Sequence, residues 1–358
     1  MSIDDIRRQI DAVDERILDL LEERAKLAAE AGTAKRAAGQ ALYDPEREQR
    51  VLARLEALHA ERGAVEFPKS SLRPVFREII SACLSLEQPM NVAFFGPAGT
   101  FTHMAALSFF GLAVRYVEAT TIPGVFDAVT RGTVAYGVVP IENSTEGAVT
   151  FTLDSLLDSR LMIRSEIVLD ISQCLVGRHA ELGRIQRVYS HPQALAQCRG
   201  WLAQNLPHAQ LVVAPSTSAA AREVAADEGA AAVSSRLAAE LSGLLVIREG
   251  IQDRAQNATR FVVIATEDAP PTGRDKTSLV FSTRHERGAL KHVLEIFEEQ
   301  GVNLTRIESR PAPDKLWEYV FFTDLEGHRS DPAIARAIER LSEMSAMVRL
   351  LGSYPRSA

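Results

Sequence analysis

The stretch DLLEERAKL (19–27) decides how the N-terminal part of the chain folds. Apolar residues at the spacing of one helix face lead into it, from Ile3 to Ile17, and Leu20 continues the series. The next position on that face holds Arg24, where the pattern asks for a leucine. Burying a guanidinium costs several kcal/mol unless it is paired, so Arg24 must meet either an acid of the protein or an anionic ligand.

The chain is predicted to be helical over residues 1–88. The first helix runs from about Ile3 to Ala38, which makes it roughly 50 Å long. One small domain cannot bury a helix of that length, so we expect partner helices from a second copy of the chain. Asp44 and Pro45 then begin a second helix with an N-cap and a first-turn proline, and a third helix follows.

Further ionisable side chains lie on the apolar faces of these helices. Lys35 lies eleven residues after Arg24 and points the same way, and Glu48 shares an apolar stripe of the second helix. Two interpretations are open. The first is an internal salt-bridge network that joins Arg24 and Arg47 to Glu48 and Glu87. The second is a pocket that binds a polyanion through bidentate guanidinium–carboxylate contacts.

The position of Arg7 favours a shared pocket. It lies about 25 Å along the first helix from Arg24, so the two cannot serve one pocket within a straight helix. In an antiparallel pair of helices, Arg7 could reach the pocket of the other chain.

The segments IRRQIDAVDERILDLLEERAKLAAEAGTAK, YDPERE and FREIISACLSLE resemble the all-helical chorismate mutases over about residues 3–87. The resemblance implies a bundle that forms an intertwined dimer and rearranges chorismate to prephenate. This pericyclic reaction needs no nucleophile, metal or cofactor, only a site that folds the dianion and stabilises charge on the breaking ether oxygen. The implied chorismate contacts are Arg7 from the second chain and Arg24, Lys35, Asp44, Arg47, Glu48, Cys83 and Glu87.

Glu87 departs from one form of this pattern. Some members have glutamine at that position, and serine in place of Cys83. A carboxylate cannot donate a hydrogen bond to the ether oxygen, whereas a carboxylic acid can. Because burial raises the pKa of a carboxyl group, we hypothesise that Glu87 is protonated and acts with Lys35 in catalysis. The alternative is that Glu87 pairs with an arginine and only shapes the pocket.

Residues 91–268 show a different pattern, in which short apolar strands alternate with helical stretches as in α/β folds. Polar segments lie where strands give way to helices, which is the usual ligand site of open α/β sheets. Taken singly, each could be a helix cap or a turn. These segments are GPAGTFTH (96–103), PIENSTEGAV (140–149), YSHPQALAQC (189–198) and QNATRF (256–261).

Together the four segments resemble the prephenate dehydratases. The resemblance implies two α/β lobes with a cleft between them, where prephenate loses CO₂ and its ring hydroxyl to give phenylpyruvate. Aromatisation drives this reaction, so a positioned proton donor suffices. We predict Thr259 as donor or final relay, Arg260 as a site organiser or carboxylate anchor, and Glu142 or water as proton sources further back. The implied cleft residues are Thr100, Glu142, Asn143, Ser144, Ser190, Gln197, Thr259, Arg260 and Phe261.

The last segment, residues 276–354, is predicted to alternate as strand, helix, strand, strand, helix, strand, the ferredoxin-like βαββαβ order. Its RGAL (287–290) and ESRP (308–311) segments resemble the ACT domains that bind phenylalanine in dehydratases. The alternative is that Gly288 simply starts a helix and ESRP ends a strand. The implied allosteric residues for L-phenylalanine are Gly288, Ala289, Leu290, Glu308, Ser309, Arg310 and Pro311.

The bulk composition limits the remaining possibilities. A net charge of −7 argues against nucleic-acid binding, and three cysteines without a CxxC pair indicate neither a disulfide framework nor a zinc site. No apolar run reaches about 18 residues, so we expect a cytoplasmic enzyme with no membrane contact, metal or cofactor, assembled as a homodimer or larger homo-oligomer. The rival interpretations are a non-catalytic amino-acid sensor, and a dehydratase whose helical arm only dimerises.

Overall fold

The computed structural model describes residues 1–38, 45–63, 66–87, 90–254, 256–283, 286–312 and 318–357, without the side chains of residues 45, 46 and 87. Predictions that concern Asp44 or the Glu87 side chain therefore lie outside the described residues. The chain divides into two compact units, Met1–Asn91 with Leu107–Arg115 and Val92–Ala106 with Tyr116–Ala358.

The first unit contains the helical N-terminal region, as predicted. Its long helices are α1 (Ile3–Ala37), α2 (Pro45–Glu61) and α3 (Lys69–Glu87). A capping box starts α1, because Ser2 accepts the N–H of Asp5 while the Asp5 carboxylate accepts the N–H of Ser2. α3 packs against both α1 and α2, and Leu52, Leu72 and Cys83 are buried in the unit. Among the described helices, none is both long and apolar enough to cross a membrane.

The chain after the helical region forms an α/β lobe, here the first lobe, most of which belongs to the second unit. Its strands and helices are β1 (Asn91–Phe95), α4 (Phe101–Phe110), β2 (Arg115–Ala119), α5 (Ile122–Thr130), β3 (Tyr136–Asn143), β4 (Gly147–Ala148), α6 (Thr150–Asp158), β5 (Met162–Asp170) and β11 (Ala258–Ala265). The sheet order is β2-β1-β3-β11-β5, with β4 added to β3. β11 runs antiparallel to both β3 and β5, so the chain returns to this sheet after building a second one.

The second lobe is formed by the chain between β5 and β11. Its elements are β6 (Cys174–Gly177), the 3₁₀ helix Leu182–Arg184, β7 (Arg187–Ser190), α7 (Pro192–Gln197), α8 (Arg199–Asn205), β8 (Gln210–Val213), α9 (Thr217–Val224), β9 (Ala230–Ser234), α10 (Arg236–Leu241) and β10 (Leu245–Arg248). The sheet order is β10-β6-β9-β7-β8. The two-lobed α/β prediction is confirmed.

The C-terminal domain has the predicted βαββαβ order. Its elements are β12 (Asp275–Ser282), α11 (Ala289–Glu299), β13 (Leu304–Pro311), β14 (Tyr319–Glu326), α12 (Pro332–Met344) and β15 (Met347–Pro355). The sheet order is β13-β14-β12-β15. One sheet face packs against α11 and α12, and the other carries Val280, Phe322 and Tyr354 into the core of the first lobe.

β15 lies very close to β5 of the first lobe. Gly352 has a φ of 140°, and a Cβ atom there would overlap the carbonyl oxygen of Ile163. Glycine is therefore required at position 352 by both backbone conformation and space. The C-terminal domain is thus docked on the first lobe through a backbone-to-backbone contact.

Candidate functional site

The helical unit places several of the predicted polyanion-binding residues at protected positions. Arg24 is half-buried, and its Nη1 donates to the carbonyl oxygen of Ile79 on α3 at 3.4 Å. Lys35 is also half-buried, while Glu48 and Cys83 are buried. These side chains therefore lie at the helix seams rather than in open solvent, whereas Arg47 is exposed on α2.

A further cation, Arg77 of α3, lies beside Glu48. Its Nε is 3.9 Å from Glu48 Oε1, and the side chain is 21% exposed. The sequence patterns did not single out Arg77, although its spacing of three and seven residues from Ile80 and Leu84 places it beside the apolar face. Arg24 and Lys35 are half-buried cations, which suits an anionic ligand, while Arg77 faces the buried Glu48.

The N-terminal half of α1 presents an exposed apolar stripe. Its large apolar side chains are between 45% and 68% exposed: Ile3, Ile6, Ile10, Val13, Ile17, Leu18 and Leu20. Arg7 lies in the same half and pairs with Asp4 at 3.5 Å while remaining exposed. A contiguous apolar stripe of this kind marks an interaction surface.

The two α/β lobes enclose a cleft of about 580 Å³. Helix N-termini form much of its lining: Thr100 to Thr102 at α4, His191 with Gln193 at α7, and Ser216 with Thr217 at α9. Free backbone N–H groups and the positive end of the helix dipole attract anions at such positions. Among the described lining residues none is acidic, and Arg222 adds a guanidinium. The cleft is therefore built for a small anion.

Asn143 and Thr259 meet in this cleft, on neighbouring strands. The Asn143 Nδ2 group donates to Thr259 Oγ1 at 2.8 Å and to Asn257 Oδ1 at 3.0 Å. Its Oδ1 accepts the backbone N–H groups of Thr145 at 2.9 Å and Glu146 at 3.1 Å, which fixes the amide orientation. Because the Thr259 oxygen accepts a hydrogen bond from Asn143, its own proton is available to a ligand.

The network extends from Asn257 into the second lobe. Asn257 Nδ2 and Gln173 Nε2 both donate to Gln197 Oε1, each at 3.2 Å. Gln173 and Gln197 line the cleft, and Gln193 lies one helical turn before Gln197. A continuous chain of side-chain amides therefore links both lobes to the Thr259 hydroxyl.

Two predicted cleft residues lie nearby but not in the lining of the main cleft. Ser190 is fully buried, and its hydroxyl donates to the Val233 carbonyl oxygen at 2.6 Å, so it ties β7 to β9. Ser144 accepts the N–H of Ala258 at 3.0 Å and lines a smaller cavity of about 420 Å³. Thr100, Asn143, Gln197, Thr259 and Phe261 do line the main cleft.

Arg260 points away from the cleft, because successive side chains of a strand lie on opposite faces. Its Nε donates to Glu166 at 2.7 Å, its Nη1 to Asp324 at 2.5 Å, and its Nη2 to the Tyr354 hydroxyl at 2.7 Å. Burial acts to lower the pKa of Arg260, but Tyr354, Asp324 and Glu166 raise it above the usual value. Arg260 is therefore a charged structural group, and its position does not match the predicted carboxylate anchor.

Glu142 shares that opposite face. Its Oε2 lies 3.1 Å from Arg306 Nε on β13 and 3.8 Å from Arg260 Nη1. The carboxylate therefore contacts the C-terminal domain and is absent from the described cleft lining. For Glu142 to act as the predicted proton source, the proton would have to travel around β3 to reach the cleft.

Second-lobe serines that the sequence patterns did not indicate hold the loop before α4. The Ser235 hydroxyl donates to the Gly99 carbonyl oxygen at 2.6 Å, and the Ser218 hydroxyl donates to that of Ala98. A Cβ atom on Gly99 would lie 3.0 Å from Ala238 Cα. This serine clasp, formed by Ser218 and Ser235, joins the two lobes directly at the loop that leads to Thr100.

His103 supports the same loop from the first lobe. Its ring stacks on Phe94 at a centroid distance of 4.4 Å, and its Nδ1 accepts the N–H of Gly99 at 3.2 Å. Burial lowers the pKa of His103, against the opposing effect of Glu118. The neutral ring is therefore the form that supports the loop.

The segments predicted to bind an amino acid lie on α11 and β13. Gly288 caps α11 with a φ of 83°, followed by Ala289 and Leu290 in the first turn. Glu308, Ser309, Arg310 and Pro311 end the edge strand β13. Arg310 also pairs with Asp154 of α6 at 3.0 Å, so this strand contacts the first lobe.

Comparison with known proteins gives matches along the whole chain. Family models match residues 6–88 (chorismate mutase type II), 92–269 (prephenate dehydratase) and 277–343 (ACT domain). The chain is 46% identical over 353 residues to the bifunctional chorismate mutase/prephenate dehydratase of Aquifex aeolicus, covering 99% of this chain and 98% of that protein.

Solved structures match the dehydratase and ACT portion. A prephenate dehydratase from Arthrobacter aurescens, solved in complex with L-Phe, is 38% identical with a TM-score of 0.70, covering 75% of this chain and 90% of that chain. A protein described as a quorum-quenching acylase, GqqA, is 32% identical with a TM-score of 0.69, covering 75% of this chain and 98% of that chain.

Proposed function

The chain belongs to the bifunctional chorismate mutases/prephenate dehydratases, and from this membership we propose how its residues divide the work. The helical unit rearranges chorismate to prephenate. The α/β cleft then decarboxylates and dehydrates prephenate to phenylpyruvate. The observation that carries the residue assignment is the amide network that ends on the Thr259 hydroxyl, in a cleft whose described lining has no acid.

In the helical unit, we assign the chorismate carboxylates to Arg24, Lys35 and Arg47. Cations at helix seams are stabilised when a dianion neutralises them, and the bound dianion is held in its reactive conformer. Lys35 and Glu87 would donate to the ether oxygen, where charge develops. We give Arg77 the separate role of balancing the charge of buried Glu48.

We also propose that a second copy of the chain covers the exposed stripe of α1. The large apolar side chains there are at least 45% exposed, which is costly for a helix in water. An antiparallel pairing of two α1 helices would bury them. It would also carry Arg7 of each chain towards the substrate of the other, and the site would be complete only in the dimer.

In the cleft, the helix N-termini of α4 and α9 and the Arg222 guanidinium are the groups we assign to the prephenate carboxylates. Arg260 is engaged elsewhere, so it cannot serve this purpose. Thr259 would pass a proton to the leaving ring hydroxyl, since its oxygen already accepts a hydrogen bond from Asn143, and water would then restore the threonine proton. Loss of CO₂ supplies the electron pair that expels the protonated hydroxyl as water, and the ring becomes aromatic.

The C-terminal domain is assigned to feedback inhibition by L-phenylalanine. The N-terminus of α11, bordered by Gly288, offers free N–H groups for an amino-acid carboxylate. The related dehydratase that was solved with L-Phe supports this ligand. We place the remaining contacts on the ESRP segment of β13.

The deciding experiment is incubation of the full chain with chorismate, while chorismate, prephenate and phenylpyruvate are followed together. We expect chorismate to disappear, phenylpyruvate to form, and L-phenylalanine to slow its formation. A sensor without catalysis would bind L-phenylalanine but leave chorismate intact. A dehydratase with an inert helical arm would consume added prephenate but not chorismate.

A further inference from the structure

Strands β3 and β11 present side chains to the cleft on one face and to the C-terminal domain on the other. Thr259 lies opposite Asn143 in the β11–β3 register, and both side chains serve the cleft. The next pair in the register is Arg260 and Glu142, and both contact the C-terminal domain. Contacts to the cleft and contacts to the C-terminal domain are thus one residue apart on the same two strands.

All three nitrogen atoms of the Arg260 guanidinium donate hydrogen bonds. Of its acceptors, Glu166 belongs to β5, whereas Asp324 and Tyr354 belong to β14 and β15 of the C-terminal sheet. Ser278 of β12 bonds to both Asp324 and Tyr354. The position of the guanidinium therefore depends on three strands of that sheet. Thr259 directly precedes Arg260 in β11.

A second link between the C-terminal sheet and the first lobe starts on β13, the strand that contains the ESRP segment. Arg306 of β13, whose side chain is 10% exposed, pairs with Glu142, next to Asn143. Neither its Nε nor its Nη2 makes a hydrogen bond to the described residues, so the link to Glu142 is an ion pair. Arg310 of the same strand pairs with Asp154. Movement of β13 would therefore pull on β3 where Asn143 orients the Thr259 hydroxyl.

We propose that Arg260 is a positioning residue that couples the C-terminal sheet to the Thr259 hydroxyl, with Glu142 and Arg306 as a parallel tie. A packed, hydrogen-bonded cluster has few alternative arrangements, so the sheet cannot shift without moving β11 or breaking these bonds. Small displacements of a catalytic group change rates strongly: about 1 Å can cost about 100-fold. This inference rests on the proposed feedback by L-phenylalanine for its regulatory part, but not for its effect on turnover.

The test is Arg260→Lys in the full chain. Lysine keeps the charge but cannot reproduce the planar fork with three divergent bonds. We expect kcat for prephenate to fall about 10- to 100-fold with little change in KM. L-phenylalanine should still bind, as measured by calorimetry, but should inhibit the residual activity less strongly than in the wild type.

Arg329→Lys is the matched control. Arg329 also joins the C-terminal domain to the segment after β11, through Asp268 at 2.9 Å, but it does not touch β11 itself. It should keep the wild-type kcat and the wild-type inhibition. If Arg260→Lys fails to fold, Tyr354→Phe removes a single acceptor of Arg260 and should show the same pattern with a smaller amplitude.

Other results would overturn the proposal. Wild-type kcat and wild-type inhibition in a folded Arg260→Lys protein would show that the Arg260 guanidinium does not position the Thr259 hydroxyl. A raised KM with unchanged kcat would show instead that Arg260 binds substrate. Failure of the proposed function looks different, because the wild-type chain run in parallel would then show no prephenate turnover.

Discussion

Asn143→Asp should redirect the proton of Thr259 without changing the shape of the site. The variant keeps the Oδ1 acceptor that holds the turn at Thr145 and Glu146, but replaces the donating Nδ2 group by a carboxylate oxygen. That oxygen would face Thr259 Oγ1 and Asn257 Oδ1, which lie 2.8 and 3.0 Å from Nδ2. The threonine hydroxyl would then donate to the carboxylate instead of the substrate.

The size of the effect follows from this hydrogen bond. A bond to a charged group contributes about 1.5–3 kcal/mol, which must be given up before the proton reaches prephenate. That corresponds to a fall of about 10- to 150-fold in kcat. Burial raises the pKa of the new carboxyl group, and its protonated form can again donate to Thr259. The deficit should therefore be largest at alkaline pH and shrink on acidification.

The assay is phenylpyruvate formation from prephenate, measured from mildly acidic to mildly alkaline pH. Asn205→Asp is the control, because Asn205 is exposed at the end of α8 and loses one similar bond, to the Trp201 carbonyl oxygen. It should match the wild type throughout. Wild-type turnover in the Asn143 variant, or a deficit of equal size at every pH, would refute the reasoning.

Thr259→Val should lower kcat for prephenate by about 10²- to 10⁴-fold while Thr259→Ser keeps most of it, and near-normal turnover in the valine variant would remove Thr259 from the mechanism. Mutase activity should fall as pH rises and Glu87→Gln should flatten that profile; a pH-independent wild-type enzyme would contradict a protonated Glu87. Gly352→Ala should cost about 1–3 kcal/mol, because its methyl group meets Ile163, and an unchanged melting temperature would count against the tight docking. Burial lowers the pKa of His103, so its folded form binds fewer protons and urea unfolding should show stability falling as pH drops below the ordinary value of 6.5. An equal acid dependence in His103→Gln would assign that loss to other groups.

The fold was predictable because its signals are local. The unbroken helical pattern of α1, the strand-to-loop segments such as GPAGTFTH and the βαββαβ order can each be recognised within a short window. The cleft position of Thr259 and Asn143 was expected from the resemblance to the prephenate dehydratases, and both residues line the cleft. Their hydrogen bond joins residues 116 positions apart, however, and no window of sequence contains both partners.

The position of Arg260 could have been foreseen in part. Thr259, Arg260 and Phe261 are consecutive in a strand, so they cannot all face one cleft. The alternation of side chains along a strand therefore excludes Arg260 from the cleft once Thr259 and Phe261 are assigned to it. That the opposite face is covered by Asp324 and Tyr354 could not be foreseen, because it depends on how the C-terminal sheet packs on the first lobe. Arg77 was hidden for a related reason, since only α2 packing on α3 brings Glu48 to it.

The serine clasp has a consequence for the kinetics of ligand entry. Separating the lobes at that loop breaks the hydrogen bonds that Ser218 and Ser235 donate to Ala98 and Gly99. At about 1 kcal/mol each, the two bonds together contribute a factor of about 30 in favour of the joined lobes. A prephenate molecule that enters by separating the lobes must first break both bonds, which lowers its apparent association rate. The same two bonds oppose the exit of a bound substrate by that route.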